Sequence, residues 1–333
     1  MTGRLRFARI IALAAGLAVL VPSAAAAAGG PPGIYASAGK QGIVSADGRF
    51  RYVTFSTVGL SASRGTIVAR IATNGGRIMD QRTIRGFFEI PAVAEDLSPG
   101  GLSADGGTLV LSRQFIHLNQ PRTTFILLDA GRLRAPRRLT LPGAFTFDAI
   151  SPDGSKLYLT RYESKFDPTA YAIRTYDVRA GRLLRRPVID PTEPEEKMRG
   201  FPVTRATSPD GRWAYTLYDG NGGTPFIHAL DTAEATARCI DLDALTDLPP
   251  RLIRRLDLQV THDGGTVTLT DDHGPVAAMD ANTFAVTTTE PTTSASGGSG
   301  GPPWMLVASA GVGAVAVAAA ILVLLRRRRV VPT

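Results

Sequence analysis

The chain has 333 residues, of which 44% are hydrophobic and 20% charged, a balance that supports one large folded domain or two ordinary ones and excludes a disordered chain. Its net charge of +8 is not spread evenly: Arg4, Arg6 and Arg9 with the run Arg326 to Arg329 carry seven of the eight charges, so the remainder is at +1 and no nucleic-acid partner is implied. A single cysteine, Cys239, excludes an internal disulfide and reads as a small residue buried in a strand.

Taken in chain order, residues 1–28 begin with arginines, continue through an apolar run from Ile10 to Val21 and end in Pro22, Ser23 and the alanines Ala24 to Ala28. This order of charge, apolar core and small-residue cleavage site is that of a secretory signal peptide, cut near Ala27 to Gly29. The alternative is an uncleaved anchor, for which the run is short.

Residues 29–290 are organised around one repeated unit. ISPDGSKLYLT from Ile150 reads as a strand, a tight turn and a second strand, and it returns as VSADGRFRYVT from Val44, LSADGGTLVLS from Leu102, TSPDGRWAYTL from Thr207 and VTHDGGTVTLT from Val260. The turn aspartates, Asp47, Asp105, Asp153, Asp210 and Asp263, stand 58, 48, 57 and 53 residues apart. That period is too long for a helical solenoid and suits a four-stranded propeller blade. A third strand follows each copy (Thr66 to Ala72, Thr124 to Asp129, Tyr171 to Val178, Phe226 to Asp231, Val276 to Asp280), then a short turn and a fourth strand. Apolar residues on both faces, as in Leu157, Tyr158 and Leu159, are what a sheet covered on both sides requires. The expected fold is all-β: a single β-propeller of about five four-stranded blades, with six or seven blades and degenerate copies as the alternative, plus one C-terminal transmembrane helix.

SPDGSKLYLT followed by YAIRTYDVRAGRLL resembles a blade of the WD-repeat-like, TolB-like and YVTN-type propellers, across most of the 29–290 region. The resemblance implies a fold and leaves function open, because such propellers include scaffolds, transport accessories and a few enzymes. The Gly-His and Trp-Asp dipeptides of true WD repeats are absent, and the sialidase Asp-box is approached but missed at Ser103.

In a four-stranded meander the tight turns share one end and the long connections the other. That places Ser56 to Gly65, Phe87 to Gly101, Ile116 to Thr123, Glu163 to Thr169, Asp190 to Gly200, Asp219 to Pro225 and Asp241 to Arg251 on one long-loop face, the expected binding face. The repeated Ser and Asp of the turns read as structural. Three residues before each turn Ser or Thr stand Gly42, Gly100, Asp148, Arg205 and Leu258, on the innermost strands, and Asp148 with Arg205 are candidates either for an ion pair across adjacent blades or for ligand recognition. Eight residues after each turn aspartate stand Phe55, Arg113, Arg161, Tyr218 and Asp271, which with Tyr162, Asp219, Asp272 and His273 compose an expected polar and aromatic rim. The ligand-binding candidates are therefore Asp148, Arg205, Arg113, Arg161, Tyr162, Tyr218, Asp271 and His273.

His117, His228, His262 and His273 are scattered singly, no HExxH, GxSxG or SxxK occurs, and no cofactor, metal or catalytic residue is assigned. By analogy with five-bladed glycosidases, Asp96, Asp148 and Asp257 are the carboxylates a hydrolase or lyase would use. Glu193, Glu195 and Glu196 read as a solvated charge run.

Residues 291–303 form a Ser/Gly/Pro-rich stalk. Trp304 to Leu325 holds 22 residues without a charge, about 33 Å as a helix and enough to cross a bilayer core of about 30 Å. The arginines of the tail, residues 326–333, hold that end in the cytoplasm. The expected protein is a single-pass plasma-membrane protein with an extracytoplasmic ectodomain, binding a protein or glycan partner at the long-loop face.

Overall fold

The computed structural model describes residues 42–56, 65–113, 116–195 and 198–288; the segments read as signal peptide, stalk, span and tail lie outside them. The chain divides at Glu290, and the second unit, Pro291–Thr333, holds no described residue. Among the described residues no helix is long and apolar enough to cross a membrane.

Among the described residues nineteen strands form five antiparallel sheets, each following chain order from one edge to the other. The first holds β1 (Ile43–Val44), β2 (Phe50–Ser56), β3 (Gly65–Ala72) and β4 (Ile78–Arg85), and the second β5 (Thr108–Leu111), β6 (Arg122–Asp129) and β7 (Arg134–Pro142). The third holds β8 (Phe145–Ile150), β9 (Lys156–Tyr162), β10 (Tyr171–Asp177) and β11 (Arg182–Pro187). β12 (Pro202–Thr207), β13 (Trp213–Tyr218), β14 (Phe226–Asp231) and β15 (Thr236–Asp241) make the fourth, and β16 (Asp257–Val260), β17 (Thr266–Asp271), β18 (Gly274–Asp280) and β19 (Val286–Thr288) the fifth. Four sheets are thus four-stranded. In the second the innermost strand is reduced to a bridge between Leu102 and Leu109, because the chain bends at Gly101 (φ +98°), where a Cβ would stand 2.6 Å from the Val110 carbonyl oxygen.

The four Ser-x-Asp-Gly turns and the Thr-His-Asp-Gly turn at Thr261 repeat one set of bonds. In the third sheet the Ser151 hydroxyl donates to Asp153 (2.7 Å), the Ser155 amide donates to the same carboxylate (3.0 Å), and the Lys156 amide donates to Ser151 (2.9 Å). The other four turns match it, with the hydroxyl 2.5–2.6 Å from the aspartate. The turn glycines take φ between +67° and +75°, a region that side chains with a Cβ disfavour. These side chains satisfy the backbone of the turn, as the sequence implied.

The sheets stack in sequence, and each junction has its own apolar core. Tyr52, Val68 and Ile84 pack on Leu109, Leu111 and Ile126; Val110, Phe125 and Leu141 on Phe147, Leu157 and Leu159; Tyr158 and Ile173 on Ala214 and Leu230; and Tyr215, Leu217 and Ile227 on Leu258, Val267 and Met279. Burying one such side chain contributes about 1.5–3 kcal/mol. The buried Tyr158 hydroxyl donates to the Thr232 carbonyl across the third junction (2.7 Å). This arrangement fits a β-propeller. None of the five core clusters joins the first sheet to the last, so among the described residues no shared core closes the ring.

The connection from β4 to β5, expected as free chain on the long-loop face, is instead largely buried. Phe88, Ile90, Ala92, Val93 and Ala94 are all buried, and Val93 packs with Phe125 and Phe147 of the second and third sheets. The Glu95 and Asp96 amides then donate to the Pro202 and Val203 carbonyls of β12 (2.9 and 3.1 Å). A segment that leaves the first sheet and bonds to the fourth crosses the centre of the stack. The reason is its composition: IPAVA offers apolar surface that is better removed from water than exposed.

At the turn end the second, third and fourth sheets also meet. The Asp105 amide donates to the Pro152 carbonyl (3.0 Å), joining the turns of the second and third sheets. A Cβ on Gly211, in the fourth, would lie 2.5 Å from that of Ala104 in the second.

Candidate functional site

Open space lies to the side of the buried crossing segment. A cavity of about 480 Å³ sits between the third and fourth sheets at the loop end, a size ordinary for a small-molecule site. β10 contributes Tyr171 and Ile173 and β14 contributes Phe226 and His228. On β15, Cys239 is paired in register with His228, so the two side chains share a face. Two connections complete the wall, through residues 187–190, 193–195 and 198–199 of the first and Gly220, Gly223 and Thr224 of the second.

Local chemistry shapes both. Asp190 is buried, accepts the Cys239 amide (2.9 Å) and the Thr192 amide (2.8 Å), and pairs with Arg238 (3.3 Å), which pins the start of the first connection to β15. The second turns on Asp219, whose carboxylate accepts the Phe201 and Asn221 amides (2.8 and 3.0 Å) and meets Arg254 (3.2 Å). Gly220 and Gly222, both at positive φ, let the chain fold tightly there.

His228 is 2% exposed, and among the described residues nothing hydrogen-bonds its imidazole. Its ring stands edge-on to Tyr218 (6.2 Å, 88°), which stacks on Phe226 (5.1 Å, 5°). Burial pulls its pKa down to about 4, against smaller opposing effects of Asp148 and Asp190, so the imidazole is neutral at physiological pH. On the rim, burial together with the nearby Glu193 and Asp243 charges raises the Asp241 carboxyl above its ordinary range.

The candidates read from sequence are dispersed. Arg205 of β12 and Asp148 of β8 form an ion pair across the third and fourth sheets, each side chain 5% exposed, and Arg205 also donates to the Asp148 carbonyl (3.1 Å). Asp148 Oδ2 is buried without a hydrogen bond. Tyr162 and Tyr218 are not rim residues: both are buried, with Tyr171 and Phe226, where the second strands end inside the junction of the sheets. Burial pushes both phenols above their ordinary range. Asp219 is likewise buried and structural, and Asp271 accepts the His273 and Gly274 amides to hold its own turn (2.7 and 3.1 Å). Arg113, Arg161, Asp272 and His273 are exposed and line no cavity described here.

Of the three carboxylates considered for hydrolysis, all are gathered along β12. Asp96 lies against Val203, Asp148 against Arg205, and Asp257 accepts the Thr204 hydroxyl (3.5 Å). Asp96 is also bonded by the Ser98 amide and hydroxyl (2.8 and 2.6 Å). Among the described residues no group of His, Cys, Asp or Glu is arranged to hold a metal ion.

Sequence reasoning missed the cavity. Its signals were the glutamates of the 190–200 connection, read as a solvated run, and the alternation that sets His228 opposite Cys239, which appears only once the strand register is known.

No family model and no curated protein matches the chain. Among solved structures, a Mycobacterium tuberculosis puromycin-hydrolyzing peptidase is similar at 18% identity over 74% of this chain and 37% of its own, with a TM-score of 0.38. The Dos1 propeller is similar at 11% over 75% and 57% (TM-score 0.39), and TolB from Acinetobacter baumannii at 17% over 71% and 57% (TM-score 0.34). The chain thus spans between about a third and three fifths of the length of these three.

Proposed function

We propose that the protein is a binding module tethered outside the cell by a single C-terminal span, with its site in the cavity between the third and fourth sheets. The observation that carries the binding site is that two irregular connections enclose space between the third and fourth sheets at the loop end. The tether rests on the sequence alone: an apolar run after arginines at the start, and 22 uncharged residues before four arginines at the end. Reporter fusions at either end, read for protease accessibility in intact cells, test it; a C-terminus accessible from outside would refute it.

For the site, the full chain in detergent is screened against small molecules by thermal shift. Ligands that raise the melting temperature of the native protein are expected to lose that effect in Cys239→Trp, whose indole fills the cavity from β15. Equal shifts in both would place binding elsewhere.

A second reading, an extracytoplasmic hydrolase or lyase, is favoured by the convergence of Asp96, Asp148 and Asp257 on β12. It requires turnover by the native chain that Asp96→Asn, at an exposed carboxylate, abolishes without loss of stability.

A further inference from the structure

Between its two ends the chain is close to neutral, yet its arginines are unevenly placed on the sheets. Residues 77–85, the outer strand of the first sheet with the end of its turn, hold three arginines and one aspartate. Residues 132–138 in the second sheet and 179–186 in the third each hold four arginines and no carboxylate. The outer edges of the other two sheets differ: 232–241 hold Arg238 against Glu234 and Asp241, and 281–288 hold no charge. All eleven arginines of the first three edges are exposed, and among the described residues none of them forms an ion pair. The aspartates on or beside these edges accept backbone amides: Asp80 that of Gln81 (2.8 Å), Asp129 that of Arg132 (3.2 Å) and Asp177 that of Ala180 (2.8 Å).

The three edges are continuous. β7 is the middle one, and its Arg138 donates to the Arg85 carbonyl of the first sheet (2.6 Å) while Arg137 donates to the Val178 carbonyl of the third (3.0 Å). Each guanidinium has five N–H donors, so most stay open. Consecutive residues of a strand point to opposite faces, so Arg137 and Arg138 turn apart and cannot close on one small anion. Stacked sheets lie about 10 Å apart, which lets a ligand running across the edges meet guanidinium groups in succession. β4, β7 and β11 carry no aromatic side chain on which a base could stack.

We infer that the outer edges of the first three sheets bind a flexible linear polyanion with a phosphate group in each repeat, laid across β4, β7 and β11. The inference depends on neither the cavity nor the tether. A planar guanidinium meets a phosphate through two parallel hydrogen bonds. Binding releases counterions condensed on the polymer, so affinity falls steeply as salt rises.

The full chain in non-ionic detergent is titrated into end-labelled, long-chain inorganic polyphosphate, and binding is read by fluorescence anisotropy. With about five contacts, each adding about 0.7 to the log–log slope, affinity is expected to fall about 100-fold between about 50 and 200 mM salt. A triple variant, Arg82→Gln, Arg134→Gln, Arg186→Gln, takes one exposed arginine from each edge, so its melting temperature should not move. Its binding should weaken, with a salt slope shallower by about 2. Lysine at the same three positions keeps the charge and should keep the slope. Unchanged binding in the glutamine variant would place the polymer on the arginines at the ends of the chain and overturn the inference, as would a native chain that does not bind. Monophosphate that displaces the probe at equal phosphate concentration would overturn the extended mode of binding. Duplex DNA or a polyuronate that competes more strongly at equal charge would overturn the phosphate polymer in favour of that class.

Discussion

The two ends of the stacked sheets are made from the same strands by opposite means. At the turn end five connections repeat one hydrogen-bonded device, and the turns of the second, third and fourth sheets touch. At the loop end the described connections differ: one crosses from the first sheet to the fourth, one is pinned by Asp190, one is coiled around Asp219. Repetition here marks what holds the sheets in place, and departure from it marks where space is left.

The largest predicted effect concerns the axis between the ends. Asp148→Ala strands the Arg205 guanidinium in a buried site and should cost about 3–5 kcal/mol in urea unfolding, whereas replacing both residues with apolar ones should recover most of it. A loss under about 1 kcal/mol would mean the pair does not bind the two sheets together. Next, Gly211→Val sets a β-branched residue at φ +73° against Ala104 and should cost about 3 kcal/mol. Gly222→Ala, at the loop end, also has positive φ (+88°) but meets no atom within 4 Å, and should cost about 1 kcal/mol. Similar losses at both would erase the distinction between the ends.

The ends should also respond to different pH windows. His228 is neutral and buried, with a pKa of about 4 against 6.5 when unfolded. Protons bind the unfolded chain first, so its contribution is full above pH 6.5 and falls away between 6.5 and 4, by about 3 kcal/mol in all. His228→Gln should flatten that slope. Asp153, held down to about 2 by its amide and hydroxyl donors, acts lower: its contribution is complete above 3.8 and is lost as pH falls toward 2. Stability profiles of the native chain and both variants would show whether the windows separate. Smallest of all, Ser151→Ala removes a hydroxyl that both donates to Asp153 and accepts from Lys156, and should cost about 1–2 kcal/mol.

The sheets were legible because a period-two apolar pattern and a recurrent turn are local properties. The expected third strand Phe226 to Asp231 coincides with β14, and Tyr171 to Val178 overruns β10 by one residue. The ion pair of Asp148 and Arg205 was within reach because both stand at the same count before their turns. What the sequence did not show depends on encounters between distant segments. The apolar composition of IPAVA favours burial but does not tell that its neighbours are the second, third and fourth sheets, and the reading of Tyr162 and Tyr218 as rim residues fails because strand ends need not be exposed. Closure of the ring by residues 34–37 lies outside the described residues.

The crossing segment also constrains the order in which the chain can mature. The Ser98 hydroxyl reaches the Arg205 carbonyl over 107 residues of sequence. Contacts of such separation form late, since a long loop must close before they contribute. As the chain is synthesised, the first two sheets can bury their shared core, but the segment from Glu95 to Ser98 lacks its partner until β12 has followed, so it is the part left open to proteases and to mispairing before the fourth sheet is made.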